Sequence, residues 1–121
     1  MKEMRIAVRK QPAEYEPGEE IAGGAQWVLD HAPHGVEARL LWHVKGQQKE
    51  DVGVVDKVQF ETPMQEDTRS FTFKAPEAPY SFAGKLVTLE WVVELVALPS
   101  NESAHVSLVI APEGKVIQFE A

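Results

Sequence analysis

Val87-Thr88-Leu89-Glu90-Trp91-Val92-Val93-Glu94-Leu95-Val96-Ala97 is the stretch that decides the fold. Val87, Leu89, Trp91, Val93, Leu95 and Ala97 recur at every second position, with Thr88, Glu90 and Glu94 between them. Side chains of an extended chain alternate between the two sides of a sheet, so one face of this run is apolar and the other carries charge. Val36 to Val44 repeats the pattern. Val36, Ala38, Leu40, Trp42 and Val44 share one face, and Glu37, Arg39 and His43 the other.

Shorter runs extend the reading. Arg5 to Val8 opens the chain, and Ala25 to Leu29 follows the Gly23-Gly24 pair. Arg69 to Lys74 presents Phe71 and Phe73 together, Val106, Leu108 and Ile110 form a later face, and Val116 to Phe119 ends the chain. In Val52 to Glu61, Asp56 falls in phase with Val52, Val54, Val58 and Phe60. A bulge near Val55 would turn Asp56 outward. Turn chemistry separates the runs at Pro17-Gly18, Lys45-Gly46, Pro63, Pro76 to Pro79, Pro99-Ser100-Asn101 and Pro112-Glu113-Gly114. No convincing helical period, internal repeat or linker is visible. The expectation is an all-β, immunoglobulin-like sandwich of about seven to eight mostly antiparallel strands. Its core is expected to hold Trp42 and Trp91, with Trp27 on a shorter, glycine-flanked strand.

The chain has 121 residues, which suits one domain spanning 1–121, and a core of ordinary size. It has no cysteine, so disulfides, zinc–thiolate sites and thiol catalysis are excluded. Ile6 to Val8 is too short for a signal-peptide core or a membrane span, so no membrane span is expected and the cytoplasm is the expected location. A net charge of −7 repels phosphate backbones, and nucleic acid is therefore not an expected partner.

Several segments resemble the N-terminal sandwich domain of arrestin-fold proteins. They are Tyr15-Glu16-Pro17-Gly18-Glu19-Glu20-Ile21-Ala22-Gly23, Leu40 to Gly46, Arg69-Ser70-Phe71-Thr72-Phe73-Lys74-Ala75-Pro76, Pro79-Tyr80-Ser81-Phe82-Ala83-Gly84, and the strand Lys85 to Ala97. The motifs are mostly turn chemistry and cover about two-thirds of the chain. The resemblance implies an arrestin-like β-sandwich and, by analogy, a scaffold or cargo-adaptor activity. Family members often carry two sandwiches in tandem, whereas one is expected here. The segment between Gly46 and Arg69 is short for the family, and nothing matches the regulatory tail of receptor-binding arrestins. A receptor-desensitising role is therefore not carried over.

No catalytic constellation emerges, and an enzyme is not expected. Asp30, His31 and His34 lie together on a proline-containing loop, without a regular element to converge them on a metal. His43 and His105 fall on charged strand faces. The serines lack a Gly-x-Ser-x-Gly elbow, and no phosphate-binding glycine loop is present. No cofactor or metal is expected.

Arg5, Arg9 and Lys10 form the one basic cluster, at the first strand. The resemblance implies that such residues engage phosphorylated partners; charge protecting an edge strand is the plainer account. The expected function is binding of a protein partner through sheet edges or loops, with Asp51 to Glu61 as the candidate edge and homodimerisation as one outcome. The alternative is a carbohydrate- or small-ligand-binding module that stacks its ligand on Trp27 and Tyr80.

Overall fold

A computed structural model describes residues 2–47 and 50–119. Its strands, in chain order, are β1 (Glu3–Val8), β2 (Glu14–Tyr15), β3 (Glu20–Val28), β4 (Gly35–Gly46), β5 (Glu50–Gln59), β6 (Glu66–Lys74), β7 (Phe82–Ala83), β8 (Val87–Leu98), β9 (Ser103–Ile110) and β10 (Ile117–Gln118). Two sheets result. The smaller has the order β1-β3-β6. The larger has the order β10-β7-β8-β4-β5, with β9 also paired to β8 and β2 paired to β9. Pairing is antiparallel except for two short parallel contacts, β10 with β7 and β2 with β9. The all-β sandwich expected from the alternation is the architecture observed. Ten strand segments occur among the described residues rather than about eight, because β2 and β7 are two-residue pieces that no period reveals; β10 lies within the expected run Val116 to Phe119.

The apolar faces meet between the sheets. From the small sheet come Ile21, Ala25, Trp27, Phe71 and Phe73; from the large sheet come Val36, Ala38, Leu40, Leu89, Trp91, Val93, Leu95, Leu108 and Ile110. Trp27 and Trp91 are fully buried. Each indole N–H finds a backbone carbonyl in a loop: Trp27 Nε1 donates to Met64 at 2.8 Å, and Trp91 Nε1 to Pro79 at 2.9 Å. A buried donor left without a partner would cost about 1–3 kcal/mol, so each tryptophan fixes a loop as well as filling space. Trp42 departs from expectation and is only partly buried. The covering sheet has three strands and the larger sheet more, so apolar positions toward the outer strands are less completely covered. Trp27 gains the central place instead, against Phe60 with ring centroids 5.7 Å apart.

The loop that receives Trp27 is itself tied down. Gln65 Nε2 donates to the carbonyls of Leu29 and Asp30, and Leu29 N donates to the Gln65 carbonyl. Asp67 accepts from the amides of Met64 and Thr68 and from the Arg69 guanidinium, which also reaches the Thr62 carbonyl. The Arg69 hydrogen bond, with help from these amides, holds the Asp67 carboxyl below its ordinary value of 3.8. A lowered carboxylate stabilises the fold at pH above its unfolded-state value and loses that contribution as pH falls through the lower native value. Asp67→Asn is therefore expected to lower the melting temperature at pH 7, with the gap to wild type constant down to about pH 4 and closing below it. Thermal unfolding followed across pH 2–7 (about that range) checks this; a gap that persists unchanged at the acid end would refute it.

At β1, β3 and β6 the sheet requires one glycine and tolerates another. A Cβ on Gly23 would stand 2.3 Å from the Ala7 carbonyl oxygen and 2.5 Å from the Phe71 ring, whereas on Gly24 the nearest atom is 3.8 Å away. Gly23→Ala is expected to cost about 1–3 kcal/mol through overpacking. Gly24→Ala is expected to be neutral or to stabilise by up to about 1 kcal/mol by restricting the unfolded chain. Urea unfolding midpoints of the two variants separate these outcomes.

Candidate functional site

β5 is an edge. Among the described residues it pairs with β4 alone, which leaves the backbone groups of its other side without a strand partner. Its register contains the bulge expected from the sequence: Leu40 faces Asp56 and Leu41 faces Val54, so Val55 is the extra residue. The consequence differs from the expectation. Asp56 keeps the inner register opposite Leu40, exposed at the sheet margin, while Val52 and Val54 turn to the outer face opposite His43 and Leu41. One unpaired residue reverses the alternation for everything on one side of it. Val52, Val54 and Val55 are exposed as a result, at 59%, 52% and 45%.

These valines continue an apolar row on the outer face. Leu41 pairs with Val54 on one side and Val92 on the other, and Leu41 and Val92 are nearly covered. Charge flanks the row. Glu37, expected on a solvated face, is buried because Arg39 Nε donates to its carboxylate at 2.7 Å, and Arg39 also approaches Glu94 at 3.8 Å. His43, half-buried, lies 3.2 Å from Glu50, and His105 stands exposed opposite Glu94. The edge thus offers free backbone groups beside an apolar strip bounded by ion pairs.

Inside the strand, Gly53 lies opposite Trp42, and a Cβ there would come within 2.3 Å of the indole. Trp42 rests on the edge glycine, which compensates for the missing side chain.

The other sequence candidates separate in space. Arg5 pairs with Glu3. Lys10 donates to Glu19 at 2.8 Å and lies 5.2 Å from the Tyr15 ring centroid. That hydrogen bond raises the Lys10 value and lowers that of Glu19. Burial raises Tyr15, whose hydroxyl is enclosed without a hydrogen-bond partner among the described residues. Arg9 follows the end of β1, exposed and without an ion pair among the described residues. Asp30, His31 and His34 are exposed and line an open cleft of about 400 Å³ with Lys2, Pro99 and Glu102. Lys2 approaches Asp30 at 3.6 Å and Glu102 at 3.8 Å. Among the described residues no three His, Asp or Glu side chains converge as a metal site. None of the helical residues described forms a helix long and apolar enough to cross a membrane. Tyr80 is exposed, but Trp27 is fully buried, so the two cannot form a stacking platform.

No family model matches the chain, and no curated protein matches its sequence. Solved structures do. The sporulation control protein Spo0M from Bacillus subtilis superposes with a TM-score of 0.63 at 18% identity, over 91% of this chain and 49% of that one. This chain thus spans about half the length of Spo0M. A superoxide reductase, neelaredoxin, from Ignicoccus hospitalis superposes with a TM-score of 0.50 at 11% identity, over 90% of this chain and 81% of that one. At these identities the likeness shows a shared fold, the arrestin-like sandwich class expected from the sequence, and carries no residue roles.

Because Trp42 is the tryptophan nearest solvent, iodide is expected to quench a fraction of the fluorescence that disappears in Trp42→Phe. Quenching that survives the substitution would mean that Trp27 or Trp91 is reached by solvent.

Proposed function

We propose that the chain is a non-catalytic interaction domain that binds a protein partner by accepting a strand along β5. The observation that carries this reading is the free β5 edge with Val52, Val54 and Val55 exposed beside it. A partner strand would satisfy the unpaired backbone groups, and its alternate side chains would prolong the row formed by Val92, Leu41 and Val54. Edges are ordinarily blunted by bulges, inward charge, proline or lysine; this one has the bulge at Val55 with Asp56 and Lys57 beyond it, whereas its arm from Val52 to Val55 carries no charge. The likeness to Spo0M supports the reading in a limited way, since that protein is described as a control protein. We take residues 1–121 as one functional domain and place it among arrestin-like adaptors on the turn motifs quoted above. Arg9, which has no ion pair among the described residues, is the member of the basic cluster best placed to add an anionic contact.

Val54→Lys places a charge on the exposed row at little expected cost to stability, within about 0.5 kcal/mol. Wild-type protein is expected to retain a reproducible partner from its native source, and the variant to lose it. Retention by the variant would overturn the assignment to β5, and absence of any reproducible partner would overturn the binding role. Light scattering at two concentrations identifies the case in which the partner is a second copy, with the association abolished by Val54→Lys.

A further inference from the structure

The opposite margin of the larger sheet carries a second feature, independent of β5. The free side of β8 is shared by two strands that diverge: β7 pairs with Thr88 and Leu89, and β9 takes over from Trp91 onward. Ser81, buried, closes the apex of this fork. Its amide donates to the Ile110 carbonyl at 2.8 Å, its Oγ accepts from the Ile110 amide at 3.0 Å, and its carbonyl accepts from Ile117 at 3.1 Å. The fork frames an open cleft of about 450 Å³. Phe82 and Val116, half-buried, line it with apolar surface, above Leu89 and Leu108, which belong to the core. Glu14 and Glu90 also line it, both on the outer-face register, Glu14 opposite Val109 and Glu90 opposite His43.

We propose that this cleft binds a small organic cation with an apolar body, of the alkyl- or arylalkyl-ammonium class. The volume lies in the range of small-molecule sites, about 300–1,000 Å³, which are typically apolar with a few placed polar groups. The lining carboxylates select the sign of charge. Glu14 has no ion-pair partner among the described residues, and Glu90 meets Lys45 only at 4.0 Å. Ser107 Oγ donates to Glu90 at 2.5 Å, which fixes that carboxylate beside the cleft. Among the described residues no Lys or Arg lines the cleft. An ammonium group beside these carboxylates would form charge-assisted hydrogen bonds while its apolar body covers Phe82 and Val116. A carboxylate ligand of the same shape would be repelled.

The test uses the intact chain and three isosteric probes, phenethylammonium, phenethyl alcohol and phenylacetate, titrated by amide NMR. Phenethylammonium is expected to shift the resonances of Ala83, Thr88, Glu90, Ser107 and Val109. Phenethyl alcohol is expected to bind about tenfold more weakly, and phenylacetate not to bind. In the Glu14→Gln/Glu90→Gln double variant the ammonium should lose about tenfold in affinity and the alcohol should be unaffected. The melting temperature of the double variant, and of Glu90→Gln alone, confirms that the fold persists. Equal binding of all three probes, shifts centred elsewhere, or no shift at millimolar concentration would overturn the proposal. A capped Phe-Lys dipeptide binding more tightly than the free amine would also overturn it, assigning the cleft to a peptide. None of these outcomes depends on β5, so Val54→Lys should bind phenethylammonium as wild type does.

Discussion

A buried indole must place its N–H against an acceptor, and in this sandwich that requirement organises the loops. Trp27 stands on the small sheet and Trp91 on the large one, and both lie fully inside. Neither can hydrogen-bond within its own sheet ladder, so each takes a carbonyl from a connecting segment. The segment holding Met64 links β5 to β6 and therefore carries the chain from one sheet to the other. The segment holding Pro79 leads from β6 back to β7. Both crossings after β5 are thus anchored on a core aromatic. Replacing such a residue by alanine typically costs about 3–5 kcal/mol, before the stranded carbonyl is counted.

Polar side chains complete the anchoring. Asp67 and Arg69 brace the first crossing, and Ser81 braces the second by joining β7, β9 and β10. Ser81 is among the smallest polar residues in the chain, yet it partners backbone groups of two other strand segments. Its role follows from the two-residue length of β7 and β10: strands so short have too few ladder bonds to hold themselves in place.

The architecture was legible in the sequence where the alternation was strong. β4 and β8 read directly from their valines and leucines, and the positive φ of Gly18, +84°, is what the Pro17-Gly18 turn implied. The bulge at Val55 was also legible, because Asp56 broke the phase. What it did to the neighbouring valines was not, since parity alone does not tell which arm reverses. The burial of Trp27 over Trp42 depended on the width of the covering sheet, a property of strand order rather than of local pattern. The burial of Glu37 depended on Arg39 two residues away on the same face. The fork lined by Glu14 and Glu90 gave no sequence signal at all, because β2, β7 and β9 meet there from distant parts of the chain.

Trp42 and Gly53 give the exposed edge a different standing. Without the extra residue at Val55, the pairing that sets Leu40 against Asp56 would continue to place Val54 opposite Trp42. The space there does not admit even a methyl group. A flush, unbulged strand is therefore sterically forbidden while the indole holds its position. The valines are held out of the interior by a neighbour's ring. The register, and with it the outward placing of the valines, is thus set jointly by Trp42 on one strand and by Gly53 and Val55 on the other.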